Sequence, residues 1–222
     1  KLYGVVGLAF FLFSRHKGRF VLWLLLWSVV LFCLPMLISS PHYVVAQYHE
    51  WWVCLAEKNT ENLHALMQNI SLLGMVRRTT GCENYSDLWL IVPGMVLFAL
   101  PYLRFSQYKH LAFREAILAS VLMFIILFST GSESSGYIIA LLGAAIWYVS
   151  APFERGKWAV WLMVFVFILS GMGNSDLIPK AIRTTIIQPY ALRALPISLL
   201  WFCLCYELYT KDYAPLNENS HE

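Results

Sequence analysis

The run FVLWLLLWSVVLFCLPMLI, Phe20–Ile38, decides the fold class. It is apolar on every side and carries no charge. In lipid, a helix is the economical way for such a segment to satisfy its own backbone. Working outward, further apolar runs bounded by charge cover Lys1–Phe13, Asp87–Leu103, Glu115–Thr130, Tyr137–Phe153, Trp158–Gly171 and Ala191–Tyr209. The pattern predicts an all-α, polytopic transmembrane helical bundle of about seven spans. The first span is expected to be truncated, with about 12 apolar residues before Ser14 where a crossing needs roughly 20. It does not read as a signal peptide, because Arg15, Lys17 and Arg19 follow the apolar run and no small-residue cleavage site is present. The expectation is therefore a single transmembrane domain over 1–222 that is the C-terminal portion of a larger protein.

Composition agrees. Of 222 residues, 59% are hydrophobic, 16% aromatic and only 13% charged, and mean hydropathy is +0.61. Disorder and disulfide-framework classes are excluded on these figures. The net charge of +3, placed mostly in short segments between apolar runs, argues against a nucleic-acid partner. No P-loop, Gly-rich dinucleotide fingerprint, His-Glu-x-x-His or Gly-x-Ser-x-Gly occurs.

Orientation follows from Lys and Arg. One set of connections holds Arg15, Lys17, Arg19, Arg104, Lys109, Arg114, Arg155, Lys157 and Lys211, nine residues in four short segments. The alternate set holds Lys58, Arg77, Arg78, Lys180, Arg183 and Arg193, six residues over far more chain. The dense set is expected in the cytoplasm with the 210–222 tail. The loop 39–86 is expected outside a multi-pass inner membrane. Within that loop, Val44, Val45, Tyr48, Trp51, Trp52 and Leu55 recur at helical spacing. They predict an amphipathic helix on the outer leaflet, followed by a second short helix capped at Asn59 or Thr60.

Several polar groups stand out. Arg77 and Arg78 are adjacent cations just before a span, suited in geometry to two-point contact with a phosphate or pyrophosphate headgroup. Interfacial snorkelling, or contact with ordinary anionic lipid, is the open alternative. Glu133 lies in the polar hairpin Ser129-Thr-Gly-Ser-Glu-Ser-Ser-Gly136, where it either bonds a sugar or simply belongs to a short outer loop. Lys1, followed by Tyr3, lies near the outer end of the first span, where an ammonium suits a phosphate. Asp176, Lys180 and Arg183 read as a solvated loop. His42 and His49 lack the Cys or carboxylate partners of a metal site, and no metal or cofactor is expected. Cys54 and Cys82 either pair outside the cytoplasm or stay free. Glu207 is the one clear ionisable residue well inside a span, which disfavours an ion-coupled transporter.

Four motifs carry a resemblance: Lys1-Leu-Tyr-Gly-Val-Val-Gly-Leu8, Leu34-Pro-Met-Leu-Ile-Ser-Ser-Pro41, Gly94-Met-Val-Leu-Phe-Ala-Leu-Pro-Tyr-Leu-Arg104 and Ser129-Thr-Gly-Ser-Glu-Ser-Ser-Gly-Tyr-Ile-Ile-Ala140. Together they resemble the C-terminal half of bacterial glycosyltransferase family 87 proteins, over most of the chain. The hairpin followed by Tyr137 is the most specific element. The resemblance implies a GT-C class hexosyltransferase that takes sugar, often mannose, from a polyprenyl phosphate donor. It implies transfer to a lipid or glycan acceptor on the outer face of the cytoplasmic membrane. It places the general base on an Asp upstream of residue 1, and neither Asp87 nor Asp176 matches that position. The substrate-binding residues expected here are Lys1, Tyr3, Arg77, Arg78, Glu133 and Tyr137. Two rival classes are a lipid-glycan flippase, which needs a polar internal path that this sequence hardly offers, and a non-catalytic scaffold.

Overall fold

The computed structural model describes residues 3–65, 67–82 and 85–215, with the side chains of 3–6, 63 and 64 left aside. All regular structure among the described residues is helical. The chain divides into two compact units, Leu2–Asn62 and Leu63–Glu222.

The first unit opens with a 3-10 helix, Tyr3–Phe13, followed by α1 (Lys17–Cys33). Pro35 cannot donate to the preceding turn, and α1 tightens into a 3-10 turn over Leu34–Leu37. The next helix, α2 (Pro41–His64), starts where the sequence directs it: the Ser40 hydroxyl accepts from the Tyr43 N–H at 3.2 Å, and Pro41 occupies the first helical position. Phe32 of α1 stacks on Tyr48 of α2, ring centroids 5.0 Å apart. Phe20 at the start of α1 packs on Phe11 of the first 3-10 helix, ring centroids 5.6 Å apart. α1 buries none of its residues, and Leu22, Leu25, Trp27, Val29 and Leu31 are all exposed. Lys17–Leu37, at 21 residues, is the one helix among the described residues long and apolar enough to cross a membrane. The second short helix expected after Asn59 is not separate, because α2 runs unbroken to His64. The Thr60 hydroxyl donates back to the Ala56 carbonyl instead of capping a new helix.

The second unit holds α3 (Leu72–Thr80), α4 (Leu88–Ala99), α5 (Leu111–Leu127), α6 (Tyr137–Val149), α7 (Lys157–Phe165), the single turn α8 (Lys180–Ile182) and α9 (Ala194–Thr210). α7 continues as a widened π-helical stretch, Val166–Gly171. The core is the trio α5, α6 and α9. Ala116, Ala119, Ala140 and Ala144 are buried between α5 and α6, where small side chains let backbones approach. A Cβ on Gly143 would stand 2.9 Å from the Ala119 carbonyl oxygen, so glycine is required at that crossing. The Trp201 indole donates to Ser120 Oγ at 3.0 Å, and its ring lies edge-on to Phe128. That phenyl occupies the place a Cβ would take on Gly94 of α4.

Each predicted span falls on a helix, but the helices are short. Leu88–Leu103, Ser134–Val149, Lys157–Gly171 and Ala194–Thr210 are apolar yet below membrane-crossing length by the same measure. Pro101 accounts for one ending: α4 gives way to a 3-10 turn over Leu100–Leu103.

Candidate functional site at the N-terminal end of α9

Three segments meet at this end of the second unit: the turn and helix 67–87, the hairpin 129–137, and the long connection 172–193. The first is shaped locally. Asn69 is fully buried in a left-handed conformation, φ 52°. Ser71 then caps α3 by accepting from the Gly74 N–H at 3.1 Å, and its hydroxyl donates to Asn69 Oδ1 at 2.7 Å. A Cβ on Gly74 would lie 1.9 Å from the Asn69 carbonyl oxygen, so no other residue fits there without the turn moving. Gly81, φ 69°, ends the helix in the left-handed region that favours glycine.

The hairpin grips this turn through a single residue. Ile70 N–H donates to the Ser132 carbonyl at 2.9 Å, and the Tyr137 hydroxyl donates to the Ile70 carbonyl at 2.9 Å. Ser132 is itself fixed by donating to the Ile126 carbonyl. Tyr137 is only 1% exposed. Its ring lies beneath the Arg193 guanidinium, whose centre is 4.5 Å from the ring centroid. Arg193 Nε and Nη2 both donate to the Ser170 carbonyl, at 3.0 and 2.7 Å, while Ser170 Oγ donates to the Arg193 carbonyl. Ser170 lies in the last turn of the α7 extension, where carbonyls have no intrahelical partner, and the guanidinium fills that need.

Arg77 and Arg78 are both engaged. Arg77 is buried and donates through Nη2 to Asp87 Oδ1 at 2.6 Å and to the Tyr85 carbonyl at 3.3 Å. Its guanidinium stands over the Tyr85 ring at 4.5 Å. The Tyr85 hydroxyl donates to the Leu73 carbonyl at 2.8 Å. Burial, then the adjacent Asp87 carboxylate, push that hydroxyl up to about 12. Arg78 donates to the carbonyls of Ala65 at 2.9 Å, Gln68 at 2.7 Å and Gln188 at 3.1 Å. It thereby joins Ala65 and Gln68 to the long connection. Burial draws its guanidinium below the ordinary arginine value.

Glu133 is half-buried at the mouth of the hairpin and already engaged, and its carbonyl accepts from the Gly136 N–H at 3.0 Å. Lys1 lies outside the described residues. Tyr3 falls in the first 3-10 helix, in the other unit, with its side chain outside the description. The structure thus brings Arg77, Arg78, Glu133 and Tyr137 into one unit, whose turn, hairpin and long connection they occupy. Asp176 is exposed and pairs with Arg183 at 2.9 Å. Cys54 and Cys82 are free, exposed thiols. No group of three metal-ligating side chains occurs among the described residues.

Sequence reasoning counted Arg193 among the cations of one membrane face and overlooked Ser170, Asn174 and Gln188. The bond between Ser170 and Arg193 depends on a reversal 23 residues long that no local pattern announces, and Asn174 and Gln188 reach this end through the same connection. One signal was present. Gly173 sits where a Cβ would meet the Leu169 carbonyl at 2.2 Å and Arg193 Cγ at 2.9 Å, so the glycine marks a close crossing.

The sequence model of glycosyltransferase family 87 matches residues 1–130, more than half of the chain. The chain belongs to glycosyltransferase family 87. The match takes in α1 to α5, with Arg77, Arg78 and Asp87, and ends two residues into the Ser129–Ala140 motif. The family-87 region therefore contributes the turn 67–71 and α3 to this end, while Tyr137, Ser170, Asn174 and Arg193 lie beyond it. No curated protein and no solved structure matches the chain.

Proposed function

We propose that this family-87 glycosyltransferase is a membrane-embedded hexosyltransferase. It takes sugar from a polyprenyl phosphate donor and passes it to a lipid or glycan acceptor at the membrane face bearing the N-terminal end of α9. The observation that carries the reading is the family match over residues 1–130. In this reading the apolar helices and the 3-10 helix Tyr3–Phe13 act as about seven spans. The dense cationic connections and the tail face the cytoplasm of a bacterial cell, and segment 39–86 faces out. The reaction needs cations at a phosphate leaving group and no metal. Within the second unit we assign the phosphate side to Arg78 and the sugar side to Glu133, with Tyr137, buried and bonded to the Ile70 carbonyl, as the residue that positions the hairpin. Arg77, being ion-paired to Asp87, acts as a positioning residue that holds α3 and so places Arg78 beside it. Neither Asp87 nor Asp176 is proposed as the general base, which we place on a residue preceding Lys1. Asp87 is committed to Arg77, and Asp176 is fully exposed.

The test uses membranes carrying the protein and radiolabelled polyprenyl phosphate mannose, with label followed into lipid and glycan products. Transfer above that of membranes lacking the protein is expected, and Arg78→Ala should reduce it more than it reduces expression. Glu133→Gln, which keeps shape and removes charge, should lower transfer with insertion intact. Absence of transfer from mannose and from other lipid-linked sugars would overturn the reading in favour of a lipid-glycan flippase or a scaffold.

A further inference from the structure

At the same end of α9, two buried polar atoms find no partner among the described residues: Arg193 Nη1 and Asn174 Oδ1. Arg193 is 4% exposed. The Asn174 amide is held in place from its other side, where Nδ2 donates to Ser134 Oγ. Both side chains line one small cavity together with Ile70, Ile187, Gln188 and Ala191. Its volume is ≈ 10 Å³. A single water takes about 10–15 Å³ of such space, so the cavity has the size of one water.

The chemistry of the two atoms selects the occupant. Arg193 Nη1 can only donate, and Asn174 Oδ1 can only accept. An anion would satisfy the arginine while confronting the amide oxygen with a second acceptor, whereas water accepts from one and donates to the other. We infer that an ordered internal water bridges Arg193 Nη1 to Asn174 Oδ1. This bridge completes a junction: Arg193 holds Ser170 directly, Tyr137 through its ring, and Asn174 through water, while Asn174 holds the hairpin at Ser134. Arg193 and Asn174 are thereby positioning residues for the 172–193 connection. The inference rests on fold geometry alone and stands whether or not the proposed reaction is correct.

The direct test is an experimental density map of the intact protein at a resolution that shows ordered waters. One peak within hydrogen-bonding distance of both atoms is expected. Direct contact between Arg193 and Asn174, or density larger than a water, would overturn the inference. A solution test separates the water from the Ser134 bond. Asn174→Leu removes both, and Ser134→Ala removes only the latter. In detergent or nanodiscs, Asn174→Leu should lower the unfolding midpoint by about 2–4 °C more than Ser134→Ala. Equal midpoints would overturn the bridge.

Discussion

The two ends of α9 are built from the same parts and finished differently. At the C-terminal end, Arg155 makes a two-point bond to Glu207, Nε to Oε1 at 3.0 Å and Nη2 to Oε2 at 2.7 Å. Its Nη1 donates to the Trp147 and Tyr148 carbonyls, capping α6, and the guanidinium lies over the Trp147 ring at 4.1 Å. The Trp147 indole donates to Glu207 Oε2 as well. Every nitrogen of Arg155 is used, and charge meets charge. Arg104 adds a second clamp, donating to the Leu208 and Lys211 carbonyls. At the N-terminal end Arg193 also sits on an aromatic ring and caps a helix, yet it has no carboxylate within ion-pair distance among the described residues. One of its nitrogens is left over. About 21 Å of helix separates Arg193 from Glu207. One end is complete within the protein, whereas the other leaves one guanidinium nitrogen to the bridging water inferred above.

The comparison is broken most sharply at Glu207. Glu207→Leu leaves Arg155 buried without its partner and should cost about 3–5 kcal/mol, whereas adding Arg155→Met should recover most of that loss. Thermal unfolding in detergent reads both, and a single variant as stable as wild type would show that this end is not closed by the pair. Next in size, Gly74→Ala forces the Asn69 turn to move. It should cost about 1–3 kcal/mol and raise proteolysis between 63 and 87, while leaving the Glu207 end intact. Asp87→Asn should cost about 1.5–3 kcal/mol through the loss of a charged hydrogen bond to Arg77. If Arg77 instead binds substrate directly, the same change would raise affinity for lipid phosphate without loss of stability, and lipid-binding measurements separate the two.

Tyr85→Phe is the smallest expected effect, about 1 kcal/mol for the bond to the Leu73 carbonyl. Its pH dependence has a definite sign. The folded hydroxyl titrates near 12, above the usual value near 10, so its stabilisation is complete below the usual value. The difference between wild type and Tyr85→Phe should therefore hold up to about pH 10 and vanish as pH approaches 12. A difference that disappears already at neutral pH would mean that the hydroxyl is not the bonding form.

How much of this was legible in sequence differs from feature to feature. Helix positions were readable, since a run such as Phe20–Ile38 leaves a backbone in lipid no other way to satisfy its polar groups. The start of α2 was written in Ser40-Pro41. The end of α3 was less plain: Arg77 and Arg78 looked like a paired cationic site, and their adjacency on a helix instead sends them to different partners, Asp87 for one and three carbonyls for the other. Glu207 was visible as an oddity within an apolar run, but its partner Arg155 lies 52 residues away, and only packing brings them together.

What sequence alone determined, then, is the helical class, the approximate limits of the helices, and through motif resemblance the glycosyltransferase family. These depend on local composition and spacing, which a chain displays directly. The tertiary structure decided which arginines are consumed in capping carbonyls and which keeps a nitrogen in reserve. That distinction arises because orphan carbonyls sit at helix ends, and which guanidinium reaches them is set by how α3, α6, α7 and α9 pack, not by the residues beside it in the chain.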